Sequence, residues 1–180
     1  MKNRLAEFVS VALLIGVLVG AMWFDRANNT APLLEAVVER VIDGDTLDVL
    51  INNRPVRLRL IGIDAPELSQ ANGRDVKRFL ASLIEGQPVR VALEDEDKYG
   101  RSLAEVFVTT MDPTSHQQRD MSVNAFLVRT GRAWAYRYQG QVQYSAYGDL
   151  EAEARAQKRG LWSSAGAVEP WQWRKTQVNQ

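Results

Sequence analysis

The sequence contains no cysteine and a single histidine. The first absence excludes a disulfide framework and every thiolate metal site. The second excludes a histidine-rich zinc or iron centre, because one imidazole cannot complete such a ligand set. Any metal is therefore held by oxygen, which points to calcium or magnesium. His116 itself falls in the polar loop Asp112-Pro113-Thr114-Ser115-His116-Gln117-Gln118 and reads as a solvated residue rather than a catalyst. Net charge is missing too, since 22 basic residues balance 22 acidic ones. That argues against binding nucleic acid by bulk charge, yet leaves room for a local basic cleft. No internal repeat is visible, so a solenoid or array is set aside. With 46% hydrophobic and 24% charged residues, the 180-residue chain reads as one globular domain plus a short appendage.

The long apolar run is Phe8 to Phe24, 17 residues without a charge, preceded by Lys2 and Arg4. As a helix it would span about 25 Å, between a signal-peptide core and a full membrane span. Trp23 and Phe24 suit an outer membrane interface, whereas Val19-Gly20-Ala21 offers a small-residue cleavage site. Residues 1–24 are thus a signal anchor or a signal peptide, and both readings stand. Either puts the rest of the chain outside the cytoplasm: anchored to the membrane and facing outward, or secreted or periplasmic. Residues 25–34 read as a polar linker.

The stretch around which the rest is organised runs from Arg57 to Glu67, RLRLIGIDAPE. It begins as a strand, with Val56, Leu58, Leu60 and Gly62 on one face and Arg57, Arg59, Ile61 and Ile63 on the other. Pro66 stops it by removing a ladder donor. Two carboxylates, Asp64 and Glu67, sit at that break. Upstream, Asp43-Gly44-Asp45-Thr46 forms a turn between two strand-like runs. Each motif alone also fits an ordinary turn or strand exit. Together, a sheet end with carboxylates and an arginine suits a hard cation and a phosphate.

Periodicity supplies the other elements. Glu35 to Ile42 and Thr46 to Ile51 read as strands, and Asn52-Asn53 as the hairpin turn into the Arg57 strand. A helix is expected from Gly73 to Ile84, then strands over Gln87 to Leu93 and Leu103 to Val108. Glu94 to Asp97 reads as a solvated acidic turn. Further helices are expected over Ser122 to Thr130 and Tyr144 to Lys158, with Trp134 to Tyr138 extended between them. Residues 163–180 form a tryptophan-containing tail, Pro170-Trp171-Gln172-Trp173-Arg174. Its tryptophans offer a docking surface, a cover for the sheet or a place near lipid.

Asp45, Arg59, the Asp64-Ala65-Pro66-Glu67 break and Lys98-Tyr99-Gly100-Arg101, in that order, resemble the thermonuclease (staphylococcal-nuclease-like) domain. The resemblance covers residues 35–162. It implies an α+β fold, a five-stranded OB-fold-like barrel with about three helices. It also implies a calcium-dependent phosphodiesterase acting on DNA or RNA and leaving 3′-phosphate and 5′-hydroxyl ends. In that scheme Asp45, Asp64 and the main-chain carbonyl of Ala65 bind Ca2+, Ala65 standing where the family often has threonine. Glu67 is the candidate general base, a role argued over in the family. Arg59 and Arg101 fork the phosphate oxygens. Lys98, Tyr99, Tyr136 and Tyr138 correspond to nucleotide-contacting groups, although one of the last two tyrosines is expected in the core or as a cap. The protein is expected to be a monomer, touching the membrane through residues 8–24 if these are uncleaved. The alternative is a membrane-tethered OB-fold module that binds nucleic acid or protein without catalysis. The presence of all five acidic and arginine positions favours the enzyme.

Overall fold

The computed structural model describes residues 32–112 and 117–178. The apolar run, most of the expected linker and His116 lie outside the described residues. Among those described, no helix is long and apolar enough to cross a membrane.

Strand β1 (Leu33–Val41) begins inside the expected linker and pairs antiparallel with β2 (Thr46–Ile51), which pairs in turn with β3 (Arg54–Leu60). Asn52 and Asn53 both take positive φ, 51° and 60°, as a two-residue hairpin of this hand requires. Strand β3 ends at Leu60, earlier than the alternation suggested. The chain turns at Gly62 (φ 76°), and a separate two-residue strand β4 (Ile63–Asp64) follows. The turn resets the alternation, so Ile63 is buried rather than on the arginine face. Gly62 is required twice over, since a Cβ there would also stand 2.6 Å from the Tyr147 ring.

Helix α1 (Gly73–Ile84) carries the chain to β5 (Pro88–Glu96) and β6 (Ser102–Met111). Strand β5 pairs with β1 and β6, and β6 returns to lie parallel to β3, with Leu58 opposite Ser102 and Leu60 opposite Ala104. That parallel pairing closes β1, β2, β3, β5 and β6 into a five-stranded barrel. A bulge between Val38 and Arg40 bends β1 within it. Glu94 to Glu96 are exposed as expected, but they extend β5 instead of forming a turn. The unforeseen β7 (Gln118–Ser122) adds to the edge of β6.

The barrel interior is aliphatic: Val38, Leu47, Val49, Leu58, Leu60, Val91 and Val106 have no exposed surface. Each fully buried side chain of this size contributes about 1.5–3 kcal/mol relative to exposure. Val76, Leu80 and Ile84 of α1 join the same core. Helix α2 (Val123–Arg129) is capped by Ser122, whose hydroxyl accepts from the amide of Ala125 at 3.1 Å. Helix α3 (Ser145–Ala156) buries Tyr147, Glu151 and Ala154. Two-residue strands β8 (Trp134–Ala135), β9 (Arg137–Tyr138) and β10 (Gln141–Val142) lie between α2 and α3. A fourth helix, α4 (Pro170–Val178), stands where the tail was expected, so the described residues hold four α-helices rather than about three.

Arg57 and Arg59 of β3 prove to have different reasons. Arg57 faces Asp48 across the β2–β3 pair and donates to it at 2.7 and 3.0 Å, while Arg40 of β1 donates to the same carboxylate at 2.9 Å. Those hydrogen bonds, Arg57's first, bring the Asp48 carboxyl down to about 2. This is a cross-strand ion-pair ladder on the outer face. Arg59 belongs elsewhere.

Candidate active site

Four segments meet at one end of the barrel around a cleft of about 540 Å³. The first is the acidic turn before β2. Asp43 accepts the amide of Asp45 at 3.0 Å, a local bond that holds the turn, and it also lines the cleft. The main chain then locks the turn to β3, with Leu60 N donating to Asp45 O at 2.8 Å.

The second segment is β4 and its exit. Strand β4 pairs with β8, placing Asp64 opposite Trp134, and Tyr136 N donates to Gly62 O at 2.8 Å. Asn124 of α2, wholly buried, donates to the carbonyls of Ile61 (2.9 Å) and Ala104 (3.1 Å) and accepts from Val106 N. That side chain staples the turn before Asp64 to β6. It was not expected, because a buried asparagine inside an apolar helix gives no sequence signal of its own partner.

Asp45 and Asp64 are both buried and share one guanidinium. Nη2 of Arg59 stands 3.1 Å from Asp45 Oδ2 and 3.3 Å from Asp64 Oδ1. The same arginine donates to the carbonyls of Leu60 at 2.5 Å and Ile63 at 2.9 Å. Asp45 Oδ2 also accepts the amide of Ala65 at 2.8 Å. Burial pushes the Asp45 carboxyl up to about 7, against the pull of Arg59, with Asp43 and Asp64 raising it further. Two carboxylates this close in a desolvated place call for cationic charge.

Gly44 lets the acidic turn pack closely on Ala65 and on Val76 of α1. A Cβ there would sit 2.6 Å from Ala65 Cβ and 2.9 Å from Val76 Cγ1. Gly44→Ala is therefore expected to lower stability by about 1–3 kcal/mol and to part Asp45 from Ala65. Urea unfolding measures the loss, and a midpoint unchanged from wild type refutes the packing argument.

The third segment is the loop from Asp97 to Arg101. Asp97 organises it, accepting the amides of Tyr99 (2.9 Å) and Arg101 (3.0 Å) and the Nε of Arg101 at 2.7 Å. Partial burial opposes ionisation, but these bonds outweigh it and hold the Asp97 carboxyl below its usual range. Lys98 and Arg101 both lie over the exposed Tyr99 ring, at 5.0 and 5.5 Å from its centroid.

The fourth segment was missed from sequence. Arg174 of α4 donates to both oxygens of Asp64, at 3.1 and 2.7 Å, and to Glu67 Oε1 at 2.7 Å. Its helix signal was limited to Pro170 at a first helical position.

Asp45, Arg59, Asp64, Ala65, Glu67, Lys98, Tyr99, Arg101 and Tyr136 all line the cleft, whereas Tyr138 does not. Neither Tyr136 nor Tyr138 is a core residue; they are 38% and 59% exposed. The two-residue strands leave both rings outside, and only Tyr136 sits beside Gly62 at the rim. Glu151 of α3 braces this ribbon from below by accepting Ala135 N at 2.8 Å and Arg137 Nη1 at 3.0 Å.

Oxygen donors fit a hard divalent cation. Among the described residues no group of three or more histidine, aspartate or glutamate side chains is gathered to hold one. The carboxylates of Asp45 and Asp64 are bridged by Arg59 instead, so an ion here would draw its remaining ligands from the main chain and water.

A family model described as Staphylococcal nuclease homologue matches residues 57–164. Protein ParB of Escherichia coli is 41% identical over 182 residues, covering 100% of this chain and 98% of that protein. A micrococcal nuclease of Shigella flexneri is 39% identical over 99% of this chain and 98% of its own. An uncharacterized endonuclease of Haemophilus influenzae is 34% identical over 97% of this chain and 88% of its own.

Proposed function

Because the chain belongs to the staphylococcal nuclease homologues and is a thermonuclease-like endonuclease, we propose that it hydrolyses DNA or RNA with calcium, leaving 3′-phosphate and 5′-hydroxyl ends. The observation that carries this reading is the convergence at Arg59, whose one guanidinium lies within 3.3 Å of both Asp45 and Asp64 in a cleft that Arg101 also lines. Asp45, Asp64 and the Ala65 carbonyl would hold the calcium ion, which when bound supplies positive charge against the phosphate oxygens.

The rest falls to side chains of this chain. Glu67 takes the proton of the attacking water. Arg59, fixed by two carbonyls, presents its charge from a frame that need not reorganise as charge develops on the phosphate. Arg101 is held by Asp97 through Nε and Nη2, which leaves Nη1 for the leaving oxygen. Tyr99 and Tyr136 offer exposed rings to bases, and Lys98 offers charge to a neighbouring phosphate. The apolar run behind Lys2 and Arg4 extends the reading to a site of action outside the cytoplasm.

End-labelling of a purified digest tests the chemistry. One metal site, with no second acidic cluster gathered among the described residues, fits attack that expels the 5′ oxygen, whereas a two-metal clamp commonly expels the 3′ oxygen. Fragments that a kinase labels at the 5′ end without prior phosphatase treatment are expected. Fragments bearing 5′-phosphates refute the proposal.

A further inference from the structure

We propose that Arg174 is a built-in counter-cation, a cap delivered by α4 that neutralises the acidic site in the metal-free protein and is exchanged for calcium when the ion binds. The inference rests on the calcium reading above and adds a competitor for that site from the chain itself.

The geometry is exclusive. Arg174 engages both Asp64 oxygens and shares Nη1 with Glu67, all at 2.7–3.1 Å. A calcium ion needs carboxylate oxygen at about 2.3–2.6 Å, in the space a guanidinium at this distance fills. Ion and arginine are therefore alternatives. Both are cations, and the Asp64 side chain, only 2% exposed, needs one of them.

The hold on the rest of α4 is slight, which suits exchange. Pro170 is buried, Trp171 and Trp173 are half-buried, and Gln172, Lys175, Thr176 and Gln177 are exposed. Trp173 carries a buried indole N–H without a partner, so the docked position is not fully satisfied. One further tie reaches the site itself. Gln70 donates to Val168 O at 2.5 Å just before α4, while its own side-chain oxygen accepts Glu67 N at 3.2 Å. Docking of the tail and placement of the proposed base are thus joined through one glutamine.

The test is a thermodynamic cycle on the full chain, using wild type, Arg174→Ala and a Lys175→Ala control. Thermal unfolding is measured in chelator and in saturating calcium, and calcium binding by titration calorimetry. In chelator, Arg174→Ala is expected to unfold on the order of 4 °C lower, because Asp64 has lost a partner. In calcium the difference should vanish, so the calcium-induced rise is larger in the variant. Affinity for calcium should increase on the order of tenfold, as expected when a competing occupant is removed. Lys175→Ala should match wild type throughout. Equal calcium affinity in Arg174→Ala and wild type, or an equal loss of stability with and without calcium, overturns the cap and leaves the calcium reading intact. Absence of calcium binding in all three proteins overturns both.

Discussion

Single-stranded DNA that is cut in calcium is expected to stay intact once chelator is in excess, and magnesium to restore only a minor part of the rate. The reason is electrostatic. Asp43, Asp45, Asp64 and Glu67 all line the cleft, and a phosphodiester brought into it meets like charge. Arg59 is already shared between two of these acids and Arg101 is held by Asp97. Arg174 is likewise committed, to Asp64 and Glu67, so in chelator the acids are capped but the phosphate meets no metal charge. Calcium accepts irregular oxygen sets, whereas magnesium demands octahedral ligands at about 2.0–2.1 Å. Asp45 cannot easily contract toward the smaller ion, because Oδ2 is tethered to the Ala65 amide at 2.8 Å. Cleavage that continues undiminished in chelator would sink the calcium assignment.

Elements governed by local rules were legible in the sequence. Helix α1 runs over Gly73–Ile84 as its apolar spacing indicates, and Asn52-Asn53 make the expected turn. β2 likewise spans Thr46–Ile51. Pairing over distance was not legible from periodicity. The barrel was implied only by the family resemblance, and the parallel contact of β3 with β6 that closes it emerges from the structure. β7 is hidden because Gln118, Arg119 and Asp120 are polar, and their order comes from lying along the edge of β6. The end of β3 was misplaced because alternation cannot see the turn at Gly62 that resets it.

The site divides in the same way. Of the side chains expected on the family's motif segments, all but Tyr138 line the cleft, and those supporting them from afar were not foreseen. Arg174 lies 110 residues from Asp64, on a helix that periodicity does not mark, and only the fold brings the two together. Asn124 is a buried polar group whose partners are all main-chain atoms, which leave no trace in residue identity, and Glu151 joins the Ala135 amide to Arg137 and Arg155, a meeting that only the fold brings about. Asp97 lay in an acidic run that reads as solvated, and only its geometry separates it from Glu94 to Glu96.

Replacing Arg59 or Arg101 by lysine is expected to reduce kcat by about 10²–10³, the usual loss for a contact made to developing charge. The two variants should differ in everything else. Arg101 serves three partners at once: Asp97 at 2.7 Å, the Tyr99 ring, and the substrate oxygen proposed for Nη1. A lysine ammonium is a point charge and can hold the carboxylate or the phosphate, not both in this arrangement. The side chain is 28% exposed and its ion pair contributes little to folding, so Arg101→Lys should unfold at the wild-type urea midpoint. Arg59 is 14% exposed and donates to two carbonyls besides the two carboxylates. Lysine cannot reach all four, so Arg59→Lys should also lose about 1–3 kcal/mol of stability through unsatisfied buried acceptors. Paired measurements of kcat and urea midpoint separate the two. A near-wild-type rate in either variant removes that arginine from the catalytic set, and a stability loss in Arg101→Lys equal to that in Arg59→Lys contradicts the division of labour between them.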